Sequence, residues 1–418
     1  MTYLYDNRHQ VSRDDNQNTE TNPIYVEDAK TEYTNKNRLK VSQIETRWFS
    51  TFNGHDDASQ WDTQTAAGAT ALLDANGDWV NLTVTTTAGS KVIRQTKNVF
   101  GYIPGRGATQ SFAIKNPTPV AGLRTRYGVF DENNGFFFEY NGTDRNIVIR
   151  SDASGSPVDI TIPRANWDDP MDGTGPSGVD LDIANIQQYN INYEWYGAGF
   201  IEFSVVLHDR RVPMHRYIVA NLQPIPYCST VFLPMRIEVE NTGSLAANAT
   251  MIQLSASHHK EGDSTTLGAP FSAATSITGK TMAAANTYYP MLSIRLKSTQ
   301  LNGFVVPTYF QAATSDSSFI QYRVVRNATL TGASWVSAGA SSAVEKDVSA
   351  TAATGGEIIV EGFIPSGTNP GIIHFNGNGQ YTIGRENLGT TSQIYTLELA
   401  CIATNKTGYG AFGWVEQH

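Results

Sequence analysis

Tyr189-Asn-Ile-Asn-Tyr-Glu-Trp-Tyr-Gly-Ala-Gly-Phe-Ile-Glu-Phe-Ser-Val-Val206 decides the fold class. Ile191, Tyr193 and Trp195 alternate with Asn190, Asn192 and Glu194; Gly197 and Gly199 break the run, and Phe200 to Val206 resumes strand-forming residues. A period of two on either side of a glycine break is an antiparallel hairpin of half-buried strands. Immediately upstream, Trp167-Asp-Asp-Pro-Met-Asp-Gly-Thr-Gly-Pro-Ser-Gly178 concentrates residues that cap turns, fix φ or accept positive φ. We read it as a shaped structural loop built on Trp167, Asp172, Gly173, Gly175 and Gly178. The three glycines also satisfy G-x-G-x-x-G, but Pro176 lies inside the motif and no strand and helix flank it, so a nucleotide site is rejected.

Working outward, short strand-like runs recur between Gly, Asn, Asp and Pro turns: 79–84, 91–96, 110–115, 123–130, 135–140, 147–150, 158–162, 214–219, 236–240 and 249–256. No amphipathic helix intervenes. This spacing predicts an all-β chain of two β-sandwich or jelly-roll-like domains, a large one over 41–258 and a smaller one over 290–418, with 259–289 as a linker. Residues 1–40 differ in texture. Tyr3, Leu4 and Tyr5, then Ile24, Tyr25 and Val26, are two apolar anchors on a polar, charged leash, which predicts an extended N-terminal arm that orders on a partner.

Composition narrows the chemistry. The 418 residues carry a net charge of -9 with 17% charged residues, which argues against nucleic-acid binding, and no apolar run is long enough to insert in a membrane. A soluble chain without a secretory signal is expected. The two cysteines, Cys228 and Cys401, read as buried free thiols. Glu194 and Glu202, on the two arms of the hairpin, are the best carboxylate pair for glycoside chemistry, with Asp168, Asp169 and Asp172 nearby. Their alternation with Tyr193, Trp195, Ile201 and Phe203 instead reads as solvent-facing strand positions, and no E-x-D-x-E run of sandwich-fold glucanases occurs. His208 and His215 flank a segment, 209–213, that reads mostly as turn, while the adjacent His258 and His259 point to opposite faces of a strand. The Asp-rich loop fits turn capping better than Ca²⁺, because its spacing matches no EF-hand. From residues alone, no catalytic site, metal or cofactor is expected, and the chain reads as a protein other than an enzyme.

One likeness goes further. Tyr102-Ile-Pro-Gly-Arg-Gly107, Arg126-Tyr-Gly-Val-Phe-Asp-Glu-Asn-Asn-Gly-Phe-Phe-Phe-Glu139, the 167–182 loop, Tyr193-Glu-Trp-Tyr-Gly-Ala-Gly199 and Leu233-Pro-Met-Arg-Ile-Glu238 together resemble virion structural proteins of tailed bacteriophages, especially marine and cyanobacterial ones. The resemblance implies residence in a virion after folding in the host cytoplasm, as a neck, collar, tail or head-fibre subunit. It also implies other virion proteins as partners and a homo-oligomer, a trimer or ring. The competing reading is a receptor module for a host surface glycan, with Trp335 or Tyr381 stacking on sugars.

If the arm supplies attachment, deleting residues 1–40 leaves a folded protein that no longer joins its assembly. Circular dichroism and particle incorporation of the truncated chain check this together, and normal incorporation would refute the tethering role.

Overall fold

The computed structural model describes residues 2–6, 9–13, 26–27, 44–207, 210–243, 245–262, 268–315, 318–365, 371–375, 381–386 and 390–417. The chain divides into two compact units, Met1–Ile44 and Glu45–His418. In the first unit, Thr2–Asp6 pairs antiparallel with His9–Arg13, and His9–Arg13 pairs with Val26–Glu27. Of the apolar anchors read in the arm, Tyr3, Leu4 and Tyr5 lie in the first strand of a hairpin and Val26 in a third strand, while Ile24 and Tyr25 lie outside the described residues. A hairpin needs only local backbone pairing, which apolar periodicity does not report.

The regular secondary structure of the second unit is strand but for a single 3-10 turn among its described residues, Arg164–Asn166. Two sheets form its first sandwich. One has seven strands in the order Val158–Pro163, Asp144–Ser151, Gly135–Asn141, Leu123–Phe130, Met235–Asn241, Lys91–Thr96 and Trp61–Ala66. The other, eight-stranded, runs Arg210–Ile218, Phe200–Leu207, Ile186–Tyr193, Ala108–Lys115, Ala249–Glu261, Val80–Val84 and Thr70–Leu73, with Ile44–Thr51 also on Ala249–Glu261. Alternation sends Phe112, Ile114, Tyr189, Ile191 and Phe203 from one sheet against Tyr127, Phe138, Ile147 and Val239 from the other, all fully buried. The hairpin read from the sequence is present, with Asn192 opposite Glu202 and Tyr193 opposite Ile201. Segment 210–213 is strand and not turn, since Arg210–Ile218 pairs with Phe200–Leu207; His208 lies outside the described residues.

The second sandwich has its own core around Phe310, Tyr395, Leu397, Phe412 and Trp414. Within 259–289, read as a linker, Ala249–Glu261 completes the first sandwich, while Ala269–Ala274 and Lys280–Met282 pair with Lys406–Gln417 of the second. Neither segment alternates apolar and polar residues over a full strand length, so its pairing is set by Lys406–Gln417 and not by its own pattern. Both cysteines are free and buried.

The 167–178 loop is a plug. Trp167 is buried and donates from Nε1 to the Ile162 carbonyl at 3.0 Å. Asp169, also buried, accepts from the Met171 and Ser177 amides at 3.1 and 2.8 Å, and its own amide donates to Met214 O. Met171 is fully buried at φ 53°. Asp172 accepts from the Thr174 amide at 3.0 Å and bridges to Asp180. Gly173 and Gly178 have φ of 83° and 66°. Gly175 is needed for a different reason: a Cβ there would sit 2.2 Å from the Asp169 carboxylate oxygen and 2.8 Å from Pro170 Cδ.

Two outcomes follow from this packing. Gly175→Ala, which displaces Asp169 from two amides, should cost about 2–4 kcal/mol in urea unfolding, whereas Gly173→Ala, with only φ strain, should cost about 1–2 kcal/mol. The second concerns His258. It is buried and stacked on Phe100 at 4.4 Å, and neither ring nitrogen has a hydrogen-bond partner. Burial, with Lys260, His259 and Arg47 adding, pushes it well below the usual imidazole range; burial also lowers His215 and His259. A base whose folded pKa is depressed contributes full stability above its unfolded pKa and loses it as pH falls below that value, because the unfolded chain takes up the proton first. Melting temperature should therefore drop from pH 7 to pH 5. His258→Leu should remove one proton's share of that slope, about 1.4 kcal/mol per pH unit below pH 6.5. Glu398, raised by burial against the pull of Arg323, works in the opposite sense and is common to both proteins.

Candidate functional site

The hairpin turn forms one wall of a cleft. Between the strands Ile186–Tyr193 and Phe200–Leu207, the amides of Ala198 and Gly199 return to Trp195 O at 3.0 and 2.7 Å. Gly199 is obligatory in this turn, since a Cβ would lie 1.7 Å from Glu194 O, and Gly197 takes φ 74°. The turn holds Trp195 in front of Tyr102: the Trp195 amide donates to the Tyr102 hydroxyl at 2.8 Å, the two rings meet edge-on at 6.3 Å, and Tyr102 stacks on Tyr193 at 6.1 Å. Burial pushes the Tyr102 hydroxyl up to about 12, so it stays protonated.

The opposite wall comes from the second sandwich. The cleft measures about 800 Å³ and lies between Tyr102, Ile103, Pro104, Trp195 and Phe232 on one side and residues 299–303 and 416–417 on the other. Ser229, Thr230, Gln300 and Asn302 are the polar residues beside them, with the Thr230 hydroxyl donating to Asn302 O and the Asn302 side-chain amide donating to the Ser229 hydroxyl, both at 3.4 Å. Glu416 is buried and accepts from the Ala343 amide and Trp414 Nε1, both at 2.7 Å, and from the Ser342 hydroxyl, so its carboxylate is engaged in fixing the wall. An apolar aromatic face beside a few placed hydroxyl and amide groups is the arrangement that receives a ring with an apolar face and a polar rim.

The residues singled out in the sequence fall in different places. Trp195 is on the cleft; Glu194 is half-buried in the same turn. Glu202 corrects its reading as a solvent-facing position. It points away from the core as alternation requires, yet is only 2% exposed, because Arg216 and Arg211 from the neighbouring strand close over it at 2.5 and 3.3 Å and Asn192 donates at 3.4 Å. Period-two alternation reports which face a side chain takes, not what covers that face. Asp168 accepts from the Arg216 amide at 2.8 Å and approaches His215 at 3.3 Å. The 167–178 plug packs into the sandwich and contributes nothing to the lining of the cleft. Trp335 has Arg295 over its ring at 4.0 Å, and Tyr381 rests on Phe375 at 5.5 Å.

Sequence reasoning passed over a second surface. Arg236, Glu238 and Glu240 point outward from the fifth strand of the seven-stranded sheet and face Lys91, Arg124 and Arg126 from its two neighbours, Arg126 in turn pairing with Glu139 one strand further on. Glu238 is 3% exposed. Burial alone would raise its pKa, but Arg236, Lys91 and Arg126 outweigh burial and hold it below the usual carboxylate range. Below this row Phe130, Phe137 and Val148 form a small apolar cluster, roofed by Arg126 and Arg150 over Phe137 and by Arg236 over Phe130 at 5.4–5.5 Å. The alternation Arg236-x-Glu238-x-Glu240 was the available signal.

No family model matches the sequence, and no curated protein matches it. Solved structures do match. A GH16 protein of the Bacteroides ovatus mixed-linkage glucan locus is similar at 13% identity and TM-score 0.33, over 50% of this chain and 99% of that one. The catalytic domain of an endo-1,3-beta-glucanase (laminarinase) from Thermotoga petrophila is similar at 14% identity and TM-score 0.36, over 53% and 100%. The carbohydrate recognition domain of Emp47p is similar at 10% identity and TM-score 0.34, over 51% and 96%. The reading of the chain as other than an enzyme is withdrawn: the solved structures that match it include β-glucanases. A carboxylate pair on a sandwich is assembled between strands, so a missing linear motif decides nothing about it.

Proposed function

We propose that the chain is a glycan-binding module whose ligand lies in the cleft between the two sandwiches. The supporting observation is the cleft itself: about 800 Å³, with Tyr102, Trp195 and Phe232 as apolar surfaces and Ser229, Thr230, Gln300 and Asn302 as hydrogen-bonding groups. Sugar rings present one face of C–H groups and a rim of hydroxyls, which these two kinds of surface match. The sequence likeness to tailed-phage virion proteins supports a place for such a module on a fibre or other exposed part of a particle, where the glycan belongs to the host surface.

A glycan array of the full chain should retain at least one glycan class, and Trp195→Ala should weaken that binding at least tenfold with unchanged circular dichroism. Measuring reducing-end release on each retained glycan reads cleavage in the same samples. Binding unaffected by Trp195→Ala, or no glycan retained, would overturn the assignment of this cleft.

A further inference from the structure

The seven-stranded sheet ends on Val158–Pro163, an edge strand with one side unpaired among the described residues. Edges of this kind are guarded in soluble proteins by charges pointing inward, by proline, by bulges or by short length. Other edges of the second unit show such guards. Arg210–Ile218 carries Arg211, Pro213 and Arg216 and a bulge in its pairing, and Glu357–Ile364 carries Glu357 and Glu361 and a bulge. Val158–Pro163 has no bulge, its pairing with Asp144–Ser151 being regular from Ser151↔Val158 to Asn146↔Pro163; its one charge, Asp159, is neutralised by Arg150 of the neighbouring strand, and its only proline is the last residue.

The same strand leaves apolar surface uncovered. Val158 and Ile160 lie on the core side of the sheet, beside the fully buried Ile149, yet they are 52% and 42% exposed because no strand follows them. On the opposite side Asp159 is held by Arg150 at 2.8 and 2.9 Å, and Thr161 is exposed.

The segment Val158-Asp-Ile-Thr-Ile162 is complementary to itself when reversed. Antiparallel pairing centred on Ile160 sets Ile160 opposite Ile160 of a second copy, Val158 opposite its Ile162, and Asp159 opposite its Thr161. Apolar residues then meet on the core side and no like charges meet on the other, which is the favourable cross-strand arrangement. A register one residue off would turn the apolar set of one copy toward the solvent side of the other. We propose that two copies of this chain join edge to edge through Val158–Pro163 about a twofold axis at Ile160, making one continuous sheet of fourteen strands from the two seven-stranded ones. The pair is closed, so it leads to dimers or to assemblies built from dimers.

Sedimentation equilibrium of the full chain over a wide concentration range tests this with two exposed-side variants that leave the core side intact. Wild type should reach a dimer. Thr161→Glu, which places like charge opposite Asp159 of the other copy twice per interface, should raise the dissociation constant at least tenfold, and Thr161→Lys should lower it severalfold. Oxidation of Ile160→Cys should yield a covalent dimer while Val158→Cys should not, since only position 160 faces itself; the native thiols are buried. A chain that stays monomeric, an odd-numbered oligomer, association indifferent to both Thr161 variants, or equal cross-linking at 158 and 160 would each overturn the proposal.

Discussion

The cleft exists because one apolar seam locks the two sandwiches together. Phe232 of the first and Phe304 of the second stack at 5.2 Å with their planes 13° apart, and Val99 and Val306 complete the buried cluster. Gly101 and Gly384 allow this approach, since a Cβ at either would lie 2.6 Å from Phe304 or 2.4 Å from Val99. Around the seam, Arg326 donates to Asn98 at 3.2 Å, to Ser59 O at 3.1 Å and to Glu357 at 2.7 Å, while Lys97 reaches Glu357 at 3.3 Å. An aromatic contact ringed by charge-assisted bonds fixes orientation as well as distance, so the facing walls keep one geometry. Two sandwiches on a loose tether would have no such cleft.

Charge burial in the first sandwich follows a single pattern: a guanidinium laid on an aromatic ring with its carboxylate beside it. Arg236 on Phe130 next to Glu238 and Arg126 on Phe137 next to Glu139 follow it on the outer face. Inside the core, Arg94 lies over Phe52 and Trp61 at 5.4 Å, donates to Thr63 at 2.8 Å, and is brought down to about 10 by burial. Such sites are costly to break from one side, on the order of 3–5 kcal/mol, while replacement of the whole pair by packed apolar groups is often neutral. They specify how strands align more than they add net stability.

Class and local pattern were legible in the chain. The hairpin of 186–207, the runs at 91–96, 123–130 and 236–240, and the turn-dense 167–178 segment are set by period-two alternation and by Gly, Pro and Asp, whose effects act within a few residues. The short, weakly patterned strands Ala269–Ala274 and Lys280–Met282 were not legible, because such a strand is defined by the partner it pairs with. Only one wall residue of the cleft, Trp195, stands in the organising hairpin.

Sequence by itself therefore determined an all-β chain, the hairpin and its glycines, and the two thiols' lack of a mutual bond. Tertiary structure alone decided what covers each face. It put Glu202 under two arginines, left Val158 and Ile160 bare, and brought Tyr102, Trp195 and Phe232 to residues 299–303. The reason is physical: propensity and alternation are fixed by immediate neighbours in the chain, while exposure, pairing and concavity depend on contacts between separate strands, 9 and 14 residues away for the arginines over Glu202 and about 70 to 200 for the cleft walls, which no local pattern encodes.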